Sequence, residues 1–320
     1  MTGSVRVWRW AALATCAVIA AAVFGAPDPN SRLRSALAIH DFGHVVAFGM
    51  VSVLFAFALS ARSRPTFQGR AGAICLAAGA ALALGAAVEL AQAASGGTGD
   101  PWDVVRDGGG AFSVASMLTA LDPAISARAR AALAGAAVIA VIALAHPIWA
   151  ALDDEARARA QFPVLASFET ARELSRFHFG EGKNPSIAQI PDDEGQSVSA
   201  VRLHLPPGKY PGFVFRYFPG DWRGMRALRL LIVNPEPTPI EMTVRIDDAD
   251  YDYRLDLEDR YNRSFPLSPG ANRIEIPLSD VEVAPRGRRF DLGRVQSLLV
   301  YAVDLAQPRD MIIGPIVLLR

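Results

Sequence analysis

The chain has 320 residues, no formal net charge and 51% apolar residues, a length that accommodates two domains. Its balanced charge excludes a general nucleic-acid binder, which would present a basic face. Residues 1–150 are mostly Ala, Val, Leu, Ile and Gly, whereas residues 151–320 carry most of the Asp, Glu, Arg and Pro.

A membrane helix needs about 20 apolar residues. Five stretches qualify, at residues 7–26, 43–61, 71–94, 102–121 and 131–150, and predict an α-helical membrane bundle. The first is flanked by Arg6 and Arg9 and resembles a signal peptide in outline. Phe24, however, stands where cleavage after Ala26 wants a small residue, so the stretch reads as a retained helix. Pro27 and Pro29 open a loop that runs to Asp41, and Pro65 sits in a second loop with Arg62, Arg64 and Arg70 nearby. The third stretch is rich in Ala and Gly, which lets helices approach closely in lipid. A Gly-rich loop at 95–101 precedes the fourth, and Asp122-Pro123 ends it. Both cysteines, Cys16 and Cys75, fall in these apolar runs, so residues 151–320 fold without a disulfide.

Basic residues near short loops set orientation. With the N-terminus inside, Arg6, Arg9, Arg62, Arg64, Arg70, Arg128 and Arg130 are cytoplasmic, and only Arg32, Arg34 and Arg106 are outside. Five spans then place residues 151–320 outside the cytoplasm, as expected for a multi-pass protein of the bacterial cytoplasmic membrane. The same parity brings His44, at the start of the second stretch, to the outer leaflet. Glu89 and Gln92, at the end of the third, and Asp103 and Asp107, at the start of the fourth, arrive there too. Glu89 and Gln92 share a helix face, as do Asp103 and Asp107, and Asp41 lies three residues before His44. Ionisable groups at such depth are costly and mark function.

Three motifs in this order resemble the VanZ-like membrane family. They are Asp41-Phe-Gly-His44-Val-Val-Ala-Phe48, Glu89-Leu-Ala-Gln92, and Asp103-Val-Val-Arg-Asp107-Gly-Gly-Gly110. The resemblance covers about residues 35–125 and departs from the family at Asp107, where Asn is usual. It implies a small polytopic membrane protein with a link to envelope or glycopeptide-antibiotic tolerance. The polar residues themselves leave three chemistries open: proton transfer, a divalent cation, or a grip on a polar lipid headgroup. They could equally hydrogen-bond one another and lock the helix ends. Zinc is disfavoured by the absence of a second His beside His44 other than His40 in the loop.

Residues 151–163 read as a charged, helix-compatible linker ended by Pro163. From Val164 the pattern changes to short β-branched runs separated by Pro, Gly, Asn and Asp. Strands are expected at 164–169, 186–190, 197–205, 212–218, 227–233, 241–247, 263–267, 272–277, 297–303 and 311–319, with a helical turn near Ser279-Asp280. Val201–Leu205 and Met242–Ile246 alternate as half-buried strands do. Many short strands at even spacing predict an all-β jelly-roll sandwich over 164–320. Ser167-Phe168-Glu169, Gly220-Asp221-Trp222, Asp247-Asp248, Arg260-Tyr261 and Leu267–Leu278 resemble galactose-binding-like jelly rolls of carbohydrate-binding modules.

Sugar sites pair an aromatic platform with groups that read hydroxyls, and Asp247, Asp248, Tyr251, Tyr253, Arg260 and Tyr261 form such a set. An acidic loop of the same residues could also hold a structural calcium, although the spacing matches no dedicated calcium loop. Trp222, followed at once by Arg223-Gly224, reads as core. No hydrolase, metalloprotease or phosphate-loop motif occurs, so no cofactor is expected and a conventional soluble catalytic site is unsupported.

The leading expectation is a non-enzymatic envelope protein. An outer-leaflet pocket (Asp41, His44, Glu89, Gln92, Asp103, Asp107) would bind a polar lipid or glycolipid, and the outward sandwich would bind envelope glycan. The alternatives are a membrane enzyme acting on an envelope lipid through His44 with Glu89 or Asp103, and a scaffold whose sandwich docks a protein.

Overall fold

The computed structural model describes residues 2–25, 33–60, 66–95, 100–180, 184–191, 195–252, 254 and 256–320. The chain divides into two compact units, Met1–Ala151 and Leu152–Arg320.

The first unit is helical: α1 (Thr2–Gly25), α2 (Arg34–Ser60), α3 (Phe67–Ala94), α4 (Pro101–Ala120) and most of α5 (Ala127–Gln161). The α3 start is capped by Thr66, whose hydroxyl accepts from the Gly69 N–H at 3.2 Å. Asp100 caps α4 in the same way, accepting from the Trp102 N–H at 2.9 Å, with Pro101 at the first helical position. One boundary differs from expectation. α2 begins at Arg34, so Asp41 and His44 sit well inside the helix rather than at its start. The run Ser35-Ala-Leu-Ala-Ile39 is helix-forming, and the single Gly43 costs too little to stop it.

α2, α3 and α4 pack against one another, and α1 packs on α2. Gly110 allows the closest approach. A Cβ there would lie 2.2 Å from the Val45 carbonyl oxygen on α2. Phe48, Val51, Ala81, Ala111 and Cys16 fill the shared interior. The burial pattern is inverted relative to a water-soluble protein. Inside are His44, Ser52, Glu89, Asp107, Ser113 and Ser116, while Val46, Met50, Phe57, Leu90, Phe112, Ile139 and Ile142 face outward. Among the described residues α2, α3 and α5 are long and apolar enough to cross a membrane. The apolar part of α1, Val7–Val23, is shorter, and α4 carries Asp103, Arg106 and Asp107 in its first turns. Three of the five expected spans thus meet the criterion of length and composition among the described residues.

The second unit begins with the last turns of α5. The stretch read as a linker is helix as far as Gln161 and ends at a cis Phe162-Pro163 bond. Its Asp154 is buried against Arg176 at 3.0 Å. Arg176 also donates to the Gln161 side chain and the Leu165 carbonyl, which satisfies a guanidinium only 1% exposed. Glu173 in turn accepts from the backbone N–H groups of Ser167 and Phe168 at 2.8 and 3.0 Å.

Eleven antiparallel strands follow among the described residues: β1 (Val164–Ala166), β2 (Phe177–His178), β3 (Ser186–Pro191), β4 (Ser197–Leu205), β5 (Gly212–Phe215), β6 (Ala227–Asn234), β7 (Ile240–Asp248), β8 (Tyr261–Leu267), β9 (Gly270–Pro277), β10 (Val295–Tyr301) and β11 (Arg309–Leu319). One sheet runs β3-β4-β11-β6-β9, with β1 also on β11, and the other runs β2-β5-β10-β7-β8. A single core joins their inner faces, including Leu203, Leu230, Val244, Leu298, Val300 and Ile316. Trp222 is fully buried in it and donates its indole N–H to the Pro219 carbonyl at 3.0 Å, so it is core as expected. The short helix α6 (Leu278–Glu282) lies where the Ser279-Asp280 turn was expected. Strand β2 escaped the sequence pattern because it is two residues long. It is seated by Phe177, whose ring stacks on Phe215 with centroids 4.2 Å apart.

Candidate functional site

In the helical unit, α2 and α4 bring His44 and Asp107 together. His44 Nδ1 is 3.0 Å from Asp107 Oδ1. Gly85 on α3 makes room for this carboxylate, since a Cβ there would lie 2.3 Å from Asp107 Oδ2. That second oxygen is buried and has no hydrogen-bond partner among the described residues. The other ring nitrogen, His44 Nε2, faces Asp103 Oδ2 at 3.7 Å, beyond hydrogen-bond range.

Glu89 reaches the same place from α3. One oxygen accepts from the Asp100 N–H at 3.0 Å, and the Gln92 amide, turned with its nitrogen toward Glu89, donates at 3.1 and 3.2 Å. Asp41 stands slightly apart and pairs with Arg106 at 2.9 Å. Arg106 also bonds Asp103 and lies 3.5 Å from Asp100. The six predicted residues therefore converge on one end of three helices. Arg106 and Asp100 join them, and neither was assigned from sequence. Arg106 gave the only signal, as a cation within an otherwise acidic run.

The sandwich places its predicted residues differently. Asp248 is fully buried and receives both Arg288 terminal nitrogens, at 2.6 and 2.9 Å, plus the Asp291 N–H at 2.7 Å. Asp259 accepts from the same guanidinium. Burial raises the Asp259 carboxyl, but the Arg288 hydrogen bond, the Asp252 N–H and the Arg288 charge together outweigh it and hold it below the ordinary carboxylate value. The Asp248 hydrogen bond correspondingly lifts Arg288 above its ordinary value. Tyr261 is buried in the core, and Tyr253 lies outside the described residues.

Asp247, Tyr251 and Arg260 are buried as well, beneath the outer face of the second sheet. Core-facing Met242, Val244 and Ile246 alternate with Thr243, Arg245 and Asp247 on the opposite face of β7. Neighbouring strands add Tyr301 from β10 and Asn262 from β8 to that face. The Tyr301 hydroxyl donates to Asn262 Oδ1 at 3.1 Å. Tyr210, 59% exposed, meets the Tyr301 ring edge-on with centroids 5.6 Å apart. Arg245 donates to Asp247 at 2.8 Å and lies over the Tyr251 ring. Arg260 donates to the Tyr251 hydroxyl at 2.9 Å. The result is a sheet face with Tyr210 exposed, Tyr301, Asn262 and Arg245 partly buried, and Asp247, Tyr251 and Arg260 buried behind them. Tyr210, Tyr301 and Arg245 were missed because they lie outside the 247–263 stretch and meet it only through the β5-β10-β7-β8 order, whereas Asn262 stood in that stretch.

No protein-family model matches the chain, and no curated protein does so. The VanZ-like resemblance thus rests on its motifs alone. Solved structures are similar over about half the chain. An exo-beta-agarase is 16% identical, with 48% of this chain and 24% of that one covered and a TM-score of 0.40. The family 11 carbohydrate-binding module from Clostridium thermocellum, solved with a beta-1,3-1,4-mixed-linked tetrasaccharide, is 19% identical. That match covers 49% of this chain and 94% of the module, with a TM-score of 0.35. A Clostridium thermocellum xylanase carrying a CBM22 module with xylohexaose is 10% identical over 49% of this chain and 28% of that one, with a TM-score of 0.31.

Proposed function

We propose that the chain is a multi-pass membrane protein of the bacterial cell envelope whose β-sandwich binds carbohydrate outside the cytoplasm. The observation that carries this reading is the outward face of the second sheet. Exposed Tyr210, braced edge-on by the partly buried Tyr301, offers an aromatic ring for a sugar to pack on. Asn262 and Arg245 stand beside it as polar partners for ring hydroxyls, with buried Asp247 holding Arg245 in place. The inverted burial of the helical unit supports a membrane anchor in contact with lipid, and the Arg-rich connections support an inside N-terminus. The expected ligand is an envelope glycan or the sugar of a glycolipid. The VanZ-like motifs add the link to envelope or glycopeptide-antibiotic tolerance.

The test is affinity electrophoresis and titration calorimetry of the full chain in detergent against peptidoglycan fragments, mixed-linked glucan and agar-type polysaccharides. At least one glycan is expected to bind, and Tyr301→Ala and Asn262→Ala are each expected to weaken it by about 10-fold or more, in line with the loss of a packed anchor. Silence across the panel, with a protein captured by the sandwich instead, would replace this reading by the scaffold alternative.

A further inference from the structure

We infer that His44, Glu89 and Asp103 form a binding site for a divalent transition-metal cation, with Asp107 as the residue that positions His44. The inference is independent of carbohydrate binding by the sandwich.

Its first support is geometric. One ligand atom from each of the three residues lies within 4.8 Å of the others. Metal–donor bonds of about 2.0–2.2 Å draw such atoms to about 3–4.4 Å of one another, a contraction of at most about 0.4 to 1.8 Å from the widest separation here. The residues come from three different helices, so the site closes only in the folded bundle.

The second support is the state of the imidazole. His44 is 8% exposed, and Asp107 engages its Nδ1. That contact sets the ring so that Nε2 points at Asp103 and Glu89, with 3.7 Å to Asp103 Oδ2 and no hydrogen bond among the described residues. A carboxylate on one ring nitrogen and a free, inward-facing second nitrogen is the arrangement that orients a metal-bound histidine.

Charge supplies the third. Glu89 and Asp107 are both more than nine-tenths buried, and Asp103 is mostly so. The nearby guanidinium, Arg106, goes to Asp41, Asp100 and Asp103. Desolvated carboxylates are costly unless a cation offsets them. An ion between His44, Glu89 and Asp103 would offset Glu89 and Asp103 directly and reach Asp107 through the imidazole that Asp107 hydrogen-bonds. The imidazole nitrogen among the donors selects zinc, manganese or cobalt over calcium and magnesium, which prefer oxygen throughout.

The experiment uses the full chain purified in detergent without a polyhistidine tag. Metal content is read by mass spectrometry, and zinc, manganese and cobalt are then titrated into chelator-treated protein. One equivalent per chain is expected, and the cobalt-loaded protein should show visible d–d bands. Glu89→Gln and Asp103→Asn should each weaken binding at least 10-fold. Asp107→Asn should keep one equivalent but lower affinity about 10-fold and shift the cobalt bands, as expected for a partner of the ligand. The exposed sandwich variant Gln189→Ala should change nothing. The inference is overturned by the absence of saturable binding up to about millimolar metal. Affinity unchanged in Glu89→Gln and Asp103→Asn proteins that elute as folded would also overturn it. A co-purifying lipid without any ion would do the same and would assign the cluster to a polar headgroup. Should those variants not fold, the wild-type cobalt spectrum decides alone, and a spectrum without d–d bands overturns the site.

Discussion

His44 on α2 and Asp107 on α4 face each other at 3.0 Å in the interior of the helical unit, 63 residues apart in sequence. Asp107 is fully buried, so this contact is where the polar cluster enters the packing of the bundle. Removing His44 leaves a desolvated carboxylate without it. His44→Ala is expected to destabilise the helical unit by about 3 kcal/mol or more. Reversible unfolding of the full chain in mixed micelles would measure this, and a variant as stable as wild type would mean that Asp107 finds another partner.

Glycine contacts make a sharper test of helix packing. Gly110→Ala puts a methyl group onto the Val45 backbone carbonyl, which cannot rotate away. The α2–α4 contact must open, at an expected cost of about 1–3 kcal/mol or more. Gly79→Ala and Gly135→Ala meet nothing within 4 Å and should be neutral or slightly stabilising in the same assay.

The Asp248–Arg288–Asp259 triad of the sandwich predicts an acid response. Asp259 ionises more readily in the folded unit than in the unfolded chain, because Arg288 and the Asp252 N–H together outweigh the cost of its burial. Its contribution is therefore present above the unfolded carboxylate value of about 3.9 and is lost as pH falls through the lower folded value. Denaturant melts of residues 152–320 should lose stability below about pH 4. Arg288→Met should destabilise the unit at neutral pH by about 3–5 kcal/mol, since two carboxylates are stranded, and should flatten the acid limb. An acid limb identical in the variant would remove Asp259 from this account.

Trp222 holds the sandwich together from its core. Trp222→Ala should cost about 3–5 kcal/mol, from lost burial and the cavity left behind. Tyr301→Ala, at a partly buried position on the outer sheet face, should cost much less. Thermal melts of the two proteins side by side would show it, and similar losses would mean that Tyr301 is a packing residue.

Topology gives a last prediction. A periplasmic reporter such as alkaline phosphatase fused to the C-terminus should be active, and a cytoplasmic reporter at the same point silent. The reverse result would place the sandwich inside the cell and remove envelope glycan as its ligand.

Local sequence was informative wherever a residue's neighbours in the chain are also its neighbours in space. Apolar runs located α1 to α5, because an apolar stretch of that length can be satisfied by few other structures. Period-two alternation located most strands, and β4 falls on the expected Ser197–Leu205. The helix-end positions of Glu89, Gln92, Asp103 and Asp107 were likewise legible, and they suggested a common pocket. Tertiary structure decided the rest. It set His44 inside α2 rather than at its start and drew Arg106 into the cluster. It turned Asp248 toward Arg288, which sequence had offered to a ligand. It built the Tyr210–Tyr301–Asn262–Arg245 face from strands far apart in the chain. A side chain's type can be read from the sequence, but whether its charge is paired inside the fold or left facing a ligand depends on groups that only folding brings within hydrogen-bond reach.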